Sequence, residues 1–203
     1  ANYDKAIEVL EQGLNSLKAR EEESLEYRYL LAECYELDNK VQEALHHWEM
    51  IEKEHPNYRS TQLKIEEYRA LLENQYMKKF FTSSLEETQP LIAEVIARLN
   101  YNIISKSFIS KNKVYYKVYH TKRINEPPIL IFFNRSTSEI SEGDIQQFTR
   151  IIAEEKCKEG IYLTTSRYGL KAKSTAAAKN IELYSKDYLI GTLEKIRGKQ
   201  KKE

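Results

Sequence analysis

Five consecutive apolar residues, Ile129-Leu130-Ile131-Phe132-Phe133, stand between the turn formers Asn125-Glu126-Pro127-Pro128 and the polar Asn134-Arg135-Ser136. A run this short, bounded by breakers and lacking polar alternation, reads as a strand that must be covered on both faces. Helices laid on the two sides of a sheet supply such covers, so the run governs what the second half of the chain can become. Its neighbours comply. Ser84 and Glu87 have capping-box spacing, Pro90 marks a helix start, and Leu91, Val95 and Leu99 form one apolar stripe. Residues 101–108 and 114–119 read as strands, the second with Tyr116, Val118 and His120 alternating against Tyr115, Lys117 and Tyr119. Ser141 and Asp144 open a helix whose core face is Ile145, Phe148, Ile151 and Ile152. A strand at 160–165, a helix carrying Ala172 and Ala176, a strand at 181–185 and a last helix with Leu189 and Leu193 complete a βαβ order, which implies a mixed or parallel central sheet.

Residues 1–83 have a different period. Leu31 and Tyr35 share one helix face, Ala44, Trp48 and Ile51 share the next, and Asp38-Asn39 lies between them as a turn. Small Ala32 and Ala44 let two antiparallel helices approach while Trp48 fills the space beside them. Residues 2–14 repeat the pattern of the second helix, with Ala6 and Leu10 in the places of Ala44 and Trp48, so the sequence is expected to begin inside a repeat and to continue upstream. From Ser60 to about Lys79 one long helix is expected, with Leu63, Tyr68, Leu71 and Leu72 facing inward. The whole is therefore expected to be an α+β chain of two modules, 1–83 helical and 84–198 α/β with a mixed sheet, followed by a basic tail, 199–203.

Charge divides at the same place. Residues 1–83 hold 11 Lys or Arg against 17 Asp or Glu, while 84–203 hold 21 against 14, which suggests two modules with different surfaces. No stretch is apolar enough for a membrane span and no signal-peptide pattern opens the sequence. With the upstream part open, a periplasmic or membrane-associated location and a cytoplasmic one both stand. Cys34 and Cys157 lie in periodic segments and read as buried thiols rather than a disulfide. His46, His47, His55 and His120 form no metal constellation and read as surface residues; no P-loop or dinucleotide fingerprint surrounds the glycines, so no cofactor or metal is expected.

The segment 25–58, LEYRYLLAECYELDNKVQEALHHWEMIEKEHPNY, resembles a tetratricopeptide repeat, with Leu31, Ala32, Tyr35, Ala44, Trp48, Ile51 and Pro56 on its packing positions and Arg28 where the family has tryptophan. The resemblance implies a concave protein-binding face containing Glu26, Tyr29, Glu33 and Glu36, acids that equally suit a plain solvated helix face. Residues 85–197 resemble an Mrr-type restriction-endonuclease-like domain, most closely over ISEGDIQQFTRIIAEEKCKEGIYLTTSRYGLKAKSTAAAKNIELYSKDYL, 140–189. That resemblance implies metal-dependent phosphodiester cleavage by an Asp on the second strand and a Glu or Gln, with Lys two residues on, on the third. Between Tyr101 and Ser138 the only acid is Glu126. The second-strand site falls within 112–116, including Tyr115, and the third-strand site on Phe132, Phe133 and Asn134; an alternative register puts the third-strand motif on His120, Thr121 and Lys122, still without the Asp. A site migrated to Glu126 or Glu94 is a further possibility.

These readings lead to an expectation of no catalytic residues and a non-enzymatic, protein-binding scaffold within a larger assembly. The two-module layout is similar to repeat proteins of the spirochaete flagellar motor collar. Other proteins, including a second copy, are then the partners. The alternative is a nucleic-acid-binding or residual nuclease module. Its contact would be Lys106, Lys111, Lys113, Lys117, Lys122, Arg123 and Arg135, interleaved with Tyr115, Tyr116, Tyr119 and His120, cations for phosphates and rings for bases. The same lysines would serve equally to cover a hairpin edge or to meet an acidic protein surface.

Overall fold

A computed structural model describes residues 3–16, 21–123 and 125–200, and the chain divides into two compact units at Thr82/Ser83. The tail 201–203, and with it most of the expected basic tail 199–203, lies outside the described residues.

The first unit is all helix: α1 (Tyr3–Ser16), α2 (Glu21–Leu37), α3 (Val41–Glu54), a short 3-10 turn at Tyr58–Ser60, α4 (Thr61–Glu73) and α5 (Gln75–Thr82). The turn between α2 and α3 is made at Asn39, whose φ of 62° lies in the left-handed region that asparagine tolerates. Leu31, Ala32, Tyr35, Val41, Ala44, Trp48 and Ile51 are all buried in one core that extends to Ile65, Tyr68 and Phe81. Trp48 is wholly enclosed and meets Tyr29 edge to face at 5.1 Å.

The expected long helix after Ser60 is broken. α4 stops before Asn74, whose extended backbone cannot continue it, and the Asn74 Oδ1 accepts from the N–H groups of Tyr76 and Met77, opening α5. Leu63, expected inward, is exposed, whereas Tyr68 is buried and Leu71 and Leu72 are half-buried. His47 also departs from expectation. Its ring stacks on Tyr35 at 5.5 Å, and burial holds it neutral, with a pKa lowered to about 4. Cys34 and Cys157 are free and half-buried.

The second unit holds α6 (Gln89–Arg98), β1 (Tyr101–Ser110), β2 (Lys113–His120), β3 (Ile129–Asn134), α7 (Glu142–Glu154), β4 (Gly160–Thr164), α8 (Leu170–Ala178), β5 (Ile181–Tyr184) and α9 (Lys186–Gln200). The five strands form one sheet in the order β1-β2-β3-β4-β5, antiparallel through β1, β2 and β3 and parallel through β3, β4 and β5. β3 is central, and Leu130, Ile131, Phe132 and Phe133 are all buried. Leu130 and Phe132 pack with Ile145, Phe148 and Ile152 of α7 and Ala172 and Ala176 of α8. Ile131 and Phe133 alternate with them and so project from the opposite face, which carries Val114, Tyr116 and Val118 of β2. Tyr116 reaches α6 there through a 2.7 Å bond from its hydroxyl to Gln89 Oε1.

Reciprocal caps fix the turn that precedes α6 and the entrance of α7. Ser84 N donates to Glu87 at 2.7 Å while Glu87 N donates to Ser84 Oγ at 3.2 Å, and the same box joins Ser141 and Asp144 at the start of α7. Gly160 opens β4 directly beneath α7, where a Cβ would stand 2.4 Å from Ile152 Cδ1 and 2.7 Å from the Phe148 ring.

Two outcomes are expected. Gly160→Ala overpacks the α7–sheet contact and lowers stability by about 1–3 kcal/mol in urea unfolding. His47 binds a proton in the unfolded chain below pH 6.5 but refuses it in the fold until about pH 4, so the first unit loses stability as pH falls through that window. Thermal melts followed from pH 7 to pH 4 should show the loss in the native chain and a smaller one in His47→Phe, which keeps the stacking partner for Tyr35.

Candidate nucleic-acid interface

Alternation along β2 sends Val114, Tyr116 and Val118 inward and turns Lys113, Tyr115 and Lys117 to the face that carries α7. There the three find partners rather than solvent. Lys113 Nζ lies 3.2 Å from Asp144 Oδ1, Lys117 Nζ donates to Glu155 O at 2.9 Å, and the Tyr115 hydroxyl donates to Glu155 Oε1 at 2.7 Å. Burial works against ionisation of Asp144, but the Ser141 hydroxyl and N–H, with Lys113 beside them, hold its carboxyl below the usual range. Arg135 is also committed to structure. Its guanidinium donates to Asn112 Oδ1 at 2.7 Å, Ser83 O at 2.6 Å and Lys111 O at 2.9 Å, tying the β1–β2 loop to the end of β3.

The seven cations expected to form one surface are therefore separated. Lys113, Lys117 and Arg135 are clamps. Lys106 is exposed on β1 with its Nζ 5.6 Å from the Phe108 ring, Lys111 is exposed at the hairpin tip, and Lys122 and Arg123 are exposed in the turn beyond β2, where Arg123 meets Glu126 at 3.7 Å. Of the expected rings, Tyr116 is buried, Tyr115 is bonded to Glu155, and Tyr119 accepts from Asn102 at 3.1 Å. His120 packs against Tyr101 at 5.3 Å and accepts the Lys122 N–H at 3.1 Å. The sequence pattern could not separate clamps from contacts, because a lysine facing α7 and a lysine facing solvent look alike until the helix is in place.

The positions assigned to metal do not fit a divalent cation. Phe132 is sealed in a cluster with Tyr162 at 4.9 Å and Phe148 at 5.2 Å. Asn134 is buried, its amide donates to the Tyr162 hydroxyl at 3.0 Å, and its main-chain oxygen accepts from Thr164. Tyr115 offers a phenol where a hard cation prefers carboxylate. Glu126 and Glu94 are both exposed, and among the described residues no group of three or more His, Cys, Asp or Glu could hold a metal ion.

In the first unit, Glu26 and Tyr29 come together with residues that the repeat pattern did not single out. Glu26 accepts from the Tyr58 hydroxyl at 2.9 Å and pairs with Arg59 at 3.0 Å, which lower its pKa, while Arg59 lies 4.9 Å over the Tyr29 ring. Glu33 is half-buried near Tyr29, and Glu36 bonds Lys64 at 2.6 Å. The expected acidic groove is thus neutralised at Glu26 and Glu36 from within the unit.

A feature that sequence reasoning missed is a groove of about 780 Å³ between the starts of α7 and α8, lined by Glu139, Glu142, Arg167, Lys171 and Lys173 among others. It arises because Ile140 and Tyr168 form an isolated bridge and Gly169 N donates to Ile140 O at 3.0 Å, bringing the two helix entrances together.

The family model Mrr_cat, described as a restriction endonuclease, matches residues 85–193, more than half of the chain. The chain belongs to this family. Among curated proteins there is no match. Solved structures with similarity include EndoMS in apo form, 14% identical with a TM-score of 0.37 over 51% of this chain and 46% of that one. The restriction endonuclease MspJI in complex with a 27-mer oligonucleotide is 18% identical, with a TM-score of 0.41 over 61% of this chain and 30% of that one. The DNA modification-dependent restriction endonuclease AspBHI is 12% identical, with a TM-score of 0.36 over 63% and 35%. The chain thus spans less than half the length of each.

Membership corrects three expectations. The chain is not read as a flagellar-collar scaffold, as a pseudoenzyme or as a non-enzyme, because the match identifies a restriction endonuclease domain and the inference of inactivity rested on a few side chains in an assumed register. No helix among the described residues is long and apolar enough to cross a membrane.

Asp144→Ala removes the α7 capping box and leaves Lys113 without its carboxylate. A loss of about 1–2 kcal/mol is expected in urea unfolding, with Asp144→Asn intermediate because its amide oxygen can still accept from Ser141.

Proposed function

We propose that the second unit binds nucleic acid through its phosphodiester backbone and that hydrolysis of that backbone is the activity to seek in it. The observation that carries this reading is the family match over residues 85–193. The excess of Lys and Arg over acids in 84–203 supports it, since backbone neutralisation by cations drives sequence-independent binding. With Lys113, Lys117 and Arg135 held by protein groups, the contacts assigned here are Lys106, Lys111 and Lys122, all exposed. Residues 84–198 are the proposed domain. Residues 1–83 are proposed as its helical-repeat companion, of tetratricopeptide type in 25–58, a reading supported by the shared burial of Leu31, Ala32, Tyr35, Ala44, Trp48 and Ile51.

Titration of labelled duplex and single-stranded DNA at two salt concentrations tests the proposal. Affinity should fall steeply with salt, and Lys106→Ala, Lys111→Ala and Lys122→Ala together should reduce the slope of log K against log salt by about 2–3. A chain that binds neither form at low salt overturns the reading. Nicking of supercoiled plasmid in the presence of Mg²⁺ or Mn²⁺, abolished by chelator, is the corresponding catalytic result.

A further inference from the structure

From Gly160 to Ile181 the chain holds four cations, Arg167, Lys171, Lys173 and Lys179, and no acid. The first three border the groove between the starts of α7 and α8, and all of them are exposed. Arg167 Nε lies 3.7 Å from Glu139 Oε2, but both side chains are more than half exposed, so the pair does little to neutralise the cation. Lys171 and Lys173 meet no carboxylate among the described residues. The other acid of the groove, Glu142, is half-buried and accepts from Gln146 at 3.1 Å and Thr175 at 3.4 Å.

Among these cations stands Leu170, 84% exposed; the next most exposed large hydrophobic among the described residues, Leu63, reaches 66%. The backbone before Leu170 is held firmly. Ile140 N donates to Arg167 O at 2.9 Å and Gly169 N donates to Ile140 O at 3.0 Å. Between them Tyr168 is buried, its hydroxyl 2.6 Å from Tyr162 O and 3.1 Å from Tyr184 O. The turn thus presents one apolar side chain ringed by three charges. A protein face that covered the leucine would have to desolvate those cations with it. A nucleic-acid strand answers both needs at once, with phosphates for the cations and sugar and base edges for the leucine.

Position favours the same occupant. Lys113 of β2 pairs with Asn134 of β3, and Asn134 with Thr164 of β4, so the hairpin tip with Lys111 and the segment that follows β4 lie at one end of the sheet. Lys113, 3.2 Å from Asp144, sets that tip beside the first turn of α7, and the groove opens at the same helix start.

We propose that the lip of the α7–α8 groove is a second nucleic-acid contact, in which Arg167, Lys171 and Lys173 hold phosphates and Leu170 packs on the sugar and base edges between them. This contact rests on reading the second unit as a binder of the phosphodiester backbone. A strand engaged by Lys111 at the hairpin tip continues past the start of α7 into the groove.

Fluorescence anisotropy of labelled duplex and single-stranded DNA with the 203-residue chain, over a series of salt concentrations, tests it. Arg167→Ala, Lys171→Ala and Lys173→Ala together should lower the slope of log K against log salt by about 2–3. Removing the same charge from the first unit, by Lys53→Ala, Lys78→Ala and Lys79→Ala at exposed positions, should change the slope by less than about 1. Leu170→Ala removes apolar contact and no charge, so it should weaken binding about fivefold with the slope unaltered. Circular dichroism checks that each variant is folded, and Lys171→Gln with Lys173→Gln, expected to lower the slope by about 1–2, replaces the groove triple if that one is not. Equal slopes in the groove and first-unit variants exclude the groove as a contact, while DNA binding by the native chain leaves the proposed function standing. A native chain that binds no DNA at low salt overturns both. Unchanged affinity in Leu170→Ala, with poly-glutamate bound by the native chain and lost by the groove variant, marks an acidic protein segment as the occupant and overturns the assignment to nucleic acid.

Discussion

The second unit depends on the enclosure of β3 from both sides. Leu130 and Phe132 enter the layer of α7 and α8 while Ile131 and Phe133 enter the opposite one, and each layer is organised around those side chains. Parallel pairing with β4 follows, because the chain must cross over through α7 to cover the first face before it can return to the sheet. Gly160 is glycine for the same reason, since α7 lies too close to the start of β4 for a methyl group. The rings of Phe132, Phe148 and Tyr162 then pack together on the α7 side of the sheet.

Much of this was legible in the residues. The apolar run 129–133, the Ser141 and Asp144 box and the alternation of β2 each report a local constraint that tertiary structure leaves intact, and all three are realised. The helix after Ser60 was not legible, because its periodicity continues through Asn74 while the break is made by a side-chain oxygen capping the next turn. Leu63 fails separately: it lies on the opposite side of α4 from Thr61, Ile65 and Tyr68, the residues that the helix buries. His47 looked like one of four surface imidazoles, and only the approach of α2 to α3 shows that Tyr35 covers it.

The candidate site was less legible than the fold. Charge along a sequence counts cations without saying what each one faces. Lys113 and Lys117 belong to α7, through Asp144 and Glu155, and Lys106, Lys111 and Lys122 remain as a sparser and more widely spaced set. Family membership rests on the match over 85–193 as a whole, within which Phe132 stacks on Tyr162 and Asn134 donates to the Tyr162 hydroxyl.

Arg135 gives the hairpin a mechanical character. With three acceptors around one planar guanidinium, the loop between β1 and β2 is fastened at Asn112 and Lys111 and backed by the carbonyl of Ser83. A ribbon held in this way does not have to be ordered when something docks on it, so the entropy of fixing that loop is already lost in the free protein. Whatever meets β1 or the hairpin tip encounters a stiff beam, and differences in affinity among its ligands should appear chiefly in how fast they leave.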